Sequence, residues 1–199
     1  MRKRNLFKAA GLAIAAFAGT CAVATTAMAA WSPEPATYGI VEQQNLPVTM
    51  SDGTVLRVNV YYPAVNGQPA PGPFPVLLTQ TPYGKDTTSA AAGSATGEDT
   101  YLIERGYIDV VADVRGTGDS GGQFGFFDPA QQQDGATLVR WSAKLAHSDG
   151  KVGLYGASYL GINQLLTVGR LGPTLRSRRS SRSCRATIST GTRRSTAGC

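Results

Sequence analysis

The feature that most limits what this chain can become is a compressed strand-turn-helix signal around position 158. Residues 152–155 form a short apolar run, Gly156 follows, Ser158 comes two residues later, and a helix-period apolar segment, 162–168, begins almost at once. A strand that turns into a helix this abruptly forces the residue at the bend into strained backbone geometry. Its side chain is lifted clear of the sheet, with no room for bulk beside it. A serine there reads as a nucleophile elbow. The usual spacing puts glycine two residues after the serine, but here Leu160 holds that position and Gly161 comes one later. The same letters also fit a strand-turn-helix that carries glycine and serine for packing alone, so the surrounding chain has to decide.

Upstream, residues 48–50, a turn at Ser51, Asp52 and Gly53, and residues 54–62 read as a hairpin. Leu56, Val58, Val60 and Tyr62 alternate with Val55, Arg57, Asn59 and Tyr61, the two-residue period of a half-buried strand. Residues 63–73 are a proline- and glycine-rich loop. The apolar run 75–79 predicts a strand covered on both faces, ending in a loop that carries Tyr83. A short helix over 98–105, stopped by Gly106, precedes a buried strand over 107–114 and a glycine-rich loop from Arg115 to 125. Asp128 and Pro129 then open a longer helix with Leu138, Val139, Trp141 and Leu145 along one stripe. Alternating strands and helices predict an α/β fold with a mostly parallel sheet. Sites in such folds collect at the carboxyl ends of strands, where the loops of Tyr83, Arg115 and Ser158 all fall.

The net charge of +6 belongs to the two ends. Arg2, Lys3, Arg4 and Lys8 crowd one terminus and eight arginines follow from Arg170, whereas residues 31–169 hold seven basic against all thirteen acidic residues, a net of −6. An acidic body argues against nucleic acid as a partner. Residues 1–29 read as an export signal: a basic start, an apolar stretch within 12–18, and a small-x-small cleavage site at Ala27, Met28 and Ala29. No stable membrane anchor is expected, because the apolar stretch is rich in alanine and threonine and ends in that site. The mature product is expected outside the cytoplasm. Lys3 and Arg4 echo a twin-arginine signal faintly, and Cys21 lacks a lipoprotein box. Cys184 and Cys199 lie in the tail, so the body, 30–173, holds no cysteine and no disulfide. From Thr174 to Cys199 arginine, serine and threonine dominate, with no acidic residue and nothing to bury, so the tail reads as disordered.

With these residues in hand, the chain resembles the cocaine-esterase and X-Pro dipeptidyl-peptidase family, the CocE/NonD hydrolases, over residues 45–173. The resemblance rests on five segments in the family's order: Asp52, Gly53 and Thr54; Thr81 to Lys85; Asp113 to Gly122; Ser148 to Gly153; and Gly156 to Gly161, with its displaced glycine. It implies an α/β-hydrolase fold that here stops after the elbow helix, and a small ester or peptide substrate with no cofactor or metal. It also implies Ser158 as acyl-forming nucleophile and the Tyr159 N–H and Tyr83 hydroxyl as oxyanion donors. Tyr83 also fits a loop aromatic packed on the sheet edge. Arg115, Asp113 and Asp119 read as a structural ion-pair knot. The glycines of 116–121 also satisfy a dinucleotide pattern, but the helix that should follow waits until Asp128.

A serine hydroxyl needs a base, and in α/β-hydrolases the acid and histidine follow the serine along the chain. After Ser158 there is no His, Asp or Glu, and the one histidine, His147, precedes it on the connection entering the elbow strand. His147 reads as a solvated loop residue. The tail is read as a frameshift: codons can be chosen for 174–199 whose second frame, two bases on, spells a buried strand and a loop. The chain is therefore expected to be inactive as written. Two other classes stay open, a secreted non-catalytic binding module of hydrolase-like fold and a basic-tailed nucleic-acid binder.

Overall fold

The computed structural model describes residues 34–87, 98–172 and 186–188. The segment read as an export signal lies outside them, as does most of the tail.

A long antiparallel ribbon, β1 (Gly39–Thr49) and β2 (Val55–Val65), starts the sheet, and a two-residue strand, β3 (Gln68–Pro69), pairs with the end of β2. The loop expected over 63–73 thus gives its first three residues to β2 and two more to β3. β4 (Phe74–Thr81), β5 (Ile108–Asp113), β6 (Ser148–Leu154) and β7 (Ala186–Ile188) are parallel to their neighbours, in the order β1-β2-β5-β4-β6-β7, while β2 meets β5 antiparallel. The region read as having nothing to bury therefore contributes one short strand, β7, beside β6.

The pleat sorts residues between two faces. Val58, Val60 and Tyr62 of β2 and Ile108, Val110 and Ala112 of β5 join the main core with Ala136, Leu138 and Val139 of helix α2 (Pro129–Ser142) and Leu171 of helix α3 (Tyr159–Leu171). On the other face Tyr61 and Val111 pack with Ile103 of α1, a single turn over Thr100–Ile103 that Asp99 caps from its side chain. Both faces of β2 are therefore buried, including Asn59, where the alternation predicts only one. Asn59 is satisfied there by the carboxylate of Asp86, which accepts from its Nδ2 at 2.8 Å.

α2 begins as expected: Asp128 accepts from the Gln131 N–H at 2.8 Å and Pro129 occupies the first turn. It ends at Ser142, so Leu145 packs on the core from beyond the helix. Its buried face is more polar than an apolar stripe suggests, with Gln131 and Asp134 inside.

One buried carboxyl gives the second face a pH dependence. Asp109 on β5 accepts from the Asp99 N–H at 2.8 Å through one oxygen, and its other oxygen has no hydrogen-bond partner among the described residues. Burial pushes this carboxyl up to about 7, opposed by the Asp99 N–H and reinforced by the negative charges of Asp99 and Glu98. Unfolded, it titrates near 3.8. Between those values the folded state holds the extra proton, so stability falls as pH rises through this window, by at most about 1.4 kcal/mol per pH unit. Urea midpoints from pH 4 to 8 are expected to show that fall, and Asp109→Asn to flatten it. An unchanged slope in the variant would place the effect elsewhere.

Candidate active site

Three loops meet at the carboxyl ends of β4, β5 and β6. They are tied at their roots, where the Val114 N–H donates to Thr81 O at 2.9 Å and the Tyr155 N–H to Leu78 O at 3.1 Å.

The third loop is the bend expected from the sequence. Ser158 sits between β6 and α3 at φ 54°, ψ −124°, exposed, in a region that costs a non-glycine residue about 1–3 kcal/mol. Occupying the N-cap of α3, it would ordinarily accept a bond from the first helical turn, but its backbone is not in the extended region that capping needs and the side chain makes no such bond. Among the described residues the hydroxyl has no hydrogen-bond partner. Tyr159 is the first residue of α3, so its N–H is one of the helix's unsatisfied donors and lies next to that hydroxyl along the chain.

Packing explains the glycine pattern. Gly156 is at φ 129°, and a Cβ there would stand 2.5 Å from Leu160 Cβ. Leu160 is buried with Val114 and Tyr159, which is why position 160 is not glycine; position 161 instead faces the Gly156 carbonyl, which a Cβ would approach to 3.4 Å. The Gln164 amide also donates to that carbonyl at 3.0 Å, fixing the turn from below.

Tyr83 heads the first loop. Its N–H donates to Thr81 Oγ1 at 3.0 Å, its carbonyl accepts from Thr87 Oγ1 at 2.9 Å, and its ring stands edge-on to Tyr159, centroids 6.3 Å apart, with half its surface exposed. The structure thus brings Tyr83 and the residue after Ser158 into contact. Two residues on, Lys85 is buried, its ammonium 2.7 Å from both Asp86 and Asp119 and 3.6 Å from Asp113. Burial pulls that ammonium's pKa down, and the carboxylates of Asp119 and Asp86 outweigh it, so the group is held charged above its ordinary range. Asp113 completes the joint: one oxygen accepts from the Lys85 N–H at 2.6 Å and the other from the Asp119 N–H at 3.0 Å. Gly118, at φ 50°, lets the second loop wrap this carboxylate, since a Cβ there would fall 2.2 Å from it.

The expected knot of Arg115 with Asp113 and Asp119 is therefore two separate knots. Arg115 points away from those acids and forks onto Asp134 of α2, with Nε and Nη2 each donating at 2.8 Å, while Nη1 donates to Asp52 at 2.6 Å and to Thr54 Oγ1 at 2.7 Å. The hydrogen bonds from Arg115 hold the Asp52 carboxyl well below the usual carboxylate range. Spacing alone could not assign these partners, because residues 52, 115 and 134 meet only once the sheet is assembled.

His147 lies at the amino end of β6, at the far end of that strand from Ser158, as the sequence implies. It is half-buried rather than solvated: its carbonyl accepts from the Phe74 N–H at 2.7 Å, Nδ1 lies 3.3 Å from Pro71 O, and its ring packs edge-on to Tyr62.

An aromatic group beside the bend escaped the sequence reading. Tyr159 is buried with Phe127 stacked on it at 4.2 Å, and Phe126 and Phe124 lie at 6.0 and 6.2 Å between centroids. Gln131 holds the arrangement, its Nε2 donating to the Tyr159 hydroxyl at 2.5 Å and its Oε1 accepting from the Phe127 N–H at 2.6 Å. Burial pushes the Tyr159 phenol up to about 12, so it stays neutral at ordinary pH. The available signal was the crowding of half the chain's six phenylalanines into positions 124–127.

Sheet order and a strained serine at the strand-to-helix bend match an α/β-hydrolase fold. The model of the X-Pro dipeptidyl-peptidase (S15) family matches residues 52–177, and the chain belongs to that family of hydrolases. The cocaine esterase of Rhodococcus sp. (strain MB1 Bresler) is 37% identical over 122 residues, which are 60% of this chain and 20% of that protein; the chain thus spans about a fifth of this relative's length. Among solved structures, a CocE/NonD family hydrolase from Staphylococcus aureus superposes with a TM-score of 0.58 at 23% identity, over 66% of this chain and 26% of its own. An alpha-amino acid ester hydrolase does so with a TM-score of 0.52 at 22% identity, over 77% and 27%. At these identities the two structures speak for the fold alone.

Proposed function

We propose that Ser158 is the nucleophile of a serine hydrolase acting on an ester or amide of small size. Its Oγ adds to the carbonyl carbon while its proton passes to a base, the alcohol or amine departs, and water then releases the acid from the acyl-enzyme. The observation that carries this is the strained, exposed serine at the head of α3, which makes no capping bond. The N–H of Tyr159 and the hydroxyl of Tyr83 are assigned to the developing oxyanion, a donor of this kind contributing about 3 kcal/mol to lowering the barrier. Membership of an esterase and peptidase family, and the likeness to a cocaine esterase, support the substrate class.

The same reading holds that this chain lacks the base, since no His, Asp or Glu follows Ser158 and His147 is committed at the other end of β6. The tail from Thr174 is then a shifted reading frame, and the product is exported. The decisive test has two parts. The nucleotides from the codon for Pro173 onward should admit a second frame that encodes a buried strand and a loop in place of residues 174–199. In the product of that frame a tagged fluorophosphonate should label Ser158, with Ser158→Ala abolishing the label. Labelling elsewhere, or none in a folded protein, would leave a hydrolase-like binding module as the better account.

A further inference from the structure

One side chain of α2 does more than its helix requires. Asp128 and Gln131 stand three residues apart at the start of α2, the spacing of a capping box, in which the later side chain reaches back to the N–H of the cap residue. Gln131 overshoots that target. Its Oε1 accepts instead from the N–H of Phe127, one residue before the cap, at 2.6 Å, and its Nε2 leaves the helix to donate to the Tyr159 hydroxyl at 2.5 Å. Gln131 is 1% exposed, so an amide that water cannot reach has both of its ends spent on other segments. Each end fastens a segment with strained backbone. Phe127 holds φ of 67° and Ser158, next to Tyr159, φ of 54°, the left-handed region that residues other than glycine and asparagine rarely adopt. Such conformations persist only where the surroundings over-determine them.

At Ser158 the serine's own side chain supplies no such restraint, since it makes no capping bond. On the β6 side the turn is fixed by the Gln164 amide on the Gly156 carbonyl. On the helix side the restraint is Tyr159, whose ring is buried against Phe127 and whose hydroxyl is tied to Gln131. For Ser158 to relax, the first residue of α3 has to turn, and the Tyr159 side chain would have to leave that stack and break its bond to Gln131. We infer that Gln131 is a positioning residue for Ser158, acting through the Tyr159 side chain. Its bond to the hydroxyl pins the far end of a lever whose near end is the strained bend, and its bond to the Phe127 N–H keeps the ring that stacks on that lever in place. The inference rests on Ser158 being the nucleophile, since only then does the geometry of the bend bear on a reaction.

The test is amide hydrogen exchange, followed by NMR on the 199-residue protein. The Leu160 N–H donates to Ala157 O at 3.1 Å and the Ile162 N–H to Ser158 O at 3.0 Å, so their protection reports whether the bend holds, while Val110 in the middle of β5 reports opening of the sheet. Gln131→Leu should raise exchange at Leu160 and Ile162 by about tenfold or more relative to Val110, the effect of losing one buried hydrogen bond. Tyr159→Phe keeps the ring and the Gln131 bond to Phe127 and removes only the hydroxyl, so it should give the same selective rise with the core untouched. Gln131→Glu retains an acceptor for the Phe127 N–H and a partner for the phenol, and should restore the protection. Equal rises at Leu160, Ile162 and Val110, no change in Tyr159→Phe, or no recovery in Gln131→Glu would each overturn the inference. These amides report the bend whether or not the serine reacts. Failure of Ser158 to take the phosphonate would therefore remove the nucleophile and leave the protection pattern as it is, so the two failures are told apart.

Discussion

Mixed with p-nitrophenyl acetate in a stopped-flow cell, the 199-residue protein is expected to show no burst and a rate within error of its Ser158→Ala variant. On the proposed reading the hydroxyl of Ser158 has no base among the residues of this chain. An alcohol near neutral pH attacks a carbonyl at a useful rate only when a base removes its proton during attack, and losing the base of a comparable triad costs about a millionfold. His147 cannot stand in, because the seven residues of β6 separate it from the bend, about 20 Å at the rise of a strand. Its Nδ1 also sits against Pro71 O. Tyr159 offers no substitute, since burial holds its phenol neutral up to about 12. Rapid acylation in this chain would require an unforeseen base and would overturn the proposed mechanism while leaving the fold intact.

Arg115→Met is expected to cost about 3–5 kcal/mol, or to prevent folding, because it strips the guanidinium from a carboxylate that cannot reach water. Asp134 is 3% exposed on α2, and both of its oxygens accept from Arg115. The exposed end of the network matters less: Asp52→Asn removes a partner that solvent can replace. If burial of an unpaired charge is the cause, Arg115→Met/Asp134→Leu should recover most of the loss, since an apolar pair of similar volume leaves nothing unsatisfied. Urea unfolding of the four proteins provides the cycle. Additive losses in the double variant would mean that each side chain contributes through packing of its own.

The sequence was a sufficient guide wherever the controlling interaction was local. The bend at Ser158, the cap at Asp128, the buried run of β4 and the placement of His147 away from the serine each follow from a few neighbouring residues, because dihedral limits, capping and side-chain period act over one or two turns. What the tertiary structure alone decided is who meets whom across the sheet. Lys85 rather than Arg115 takes Asp113 and Asp119, Arg115 reaches across to Asp134, both faces of β2 are covered, and three phenylalanines gather on Tyr159. Ion pairs and aromatic contacts depend on separation in space and carry no period along the chain. Their partners are set only when β4, β5 and β6 come into register and bring three loops to one edge.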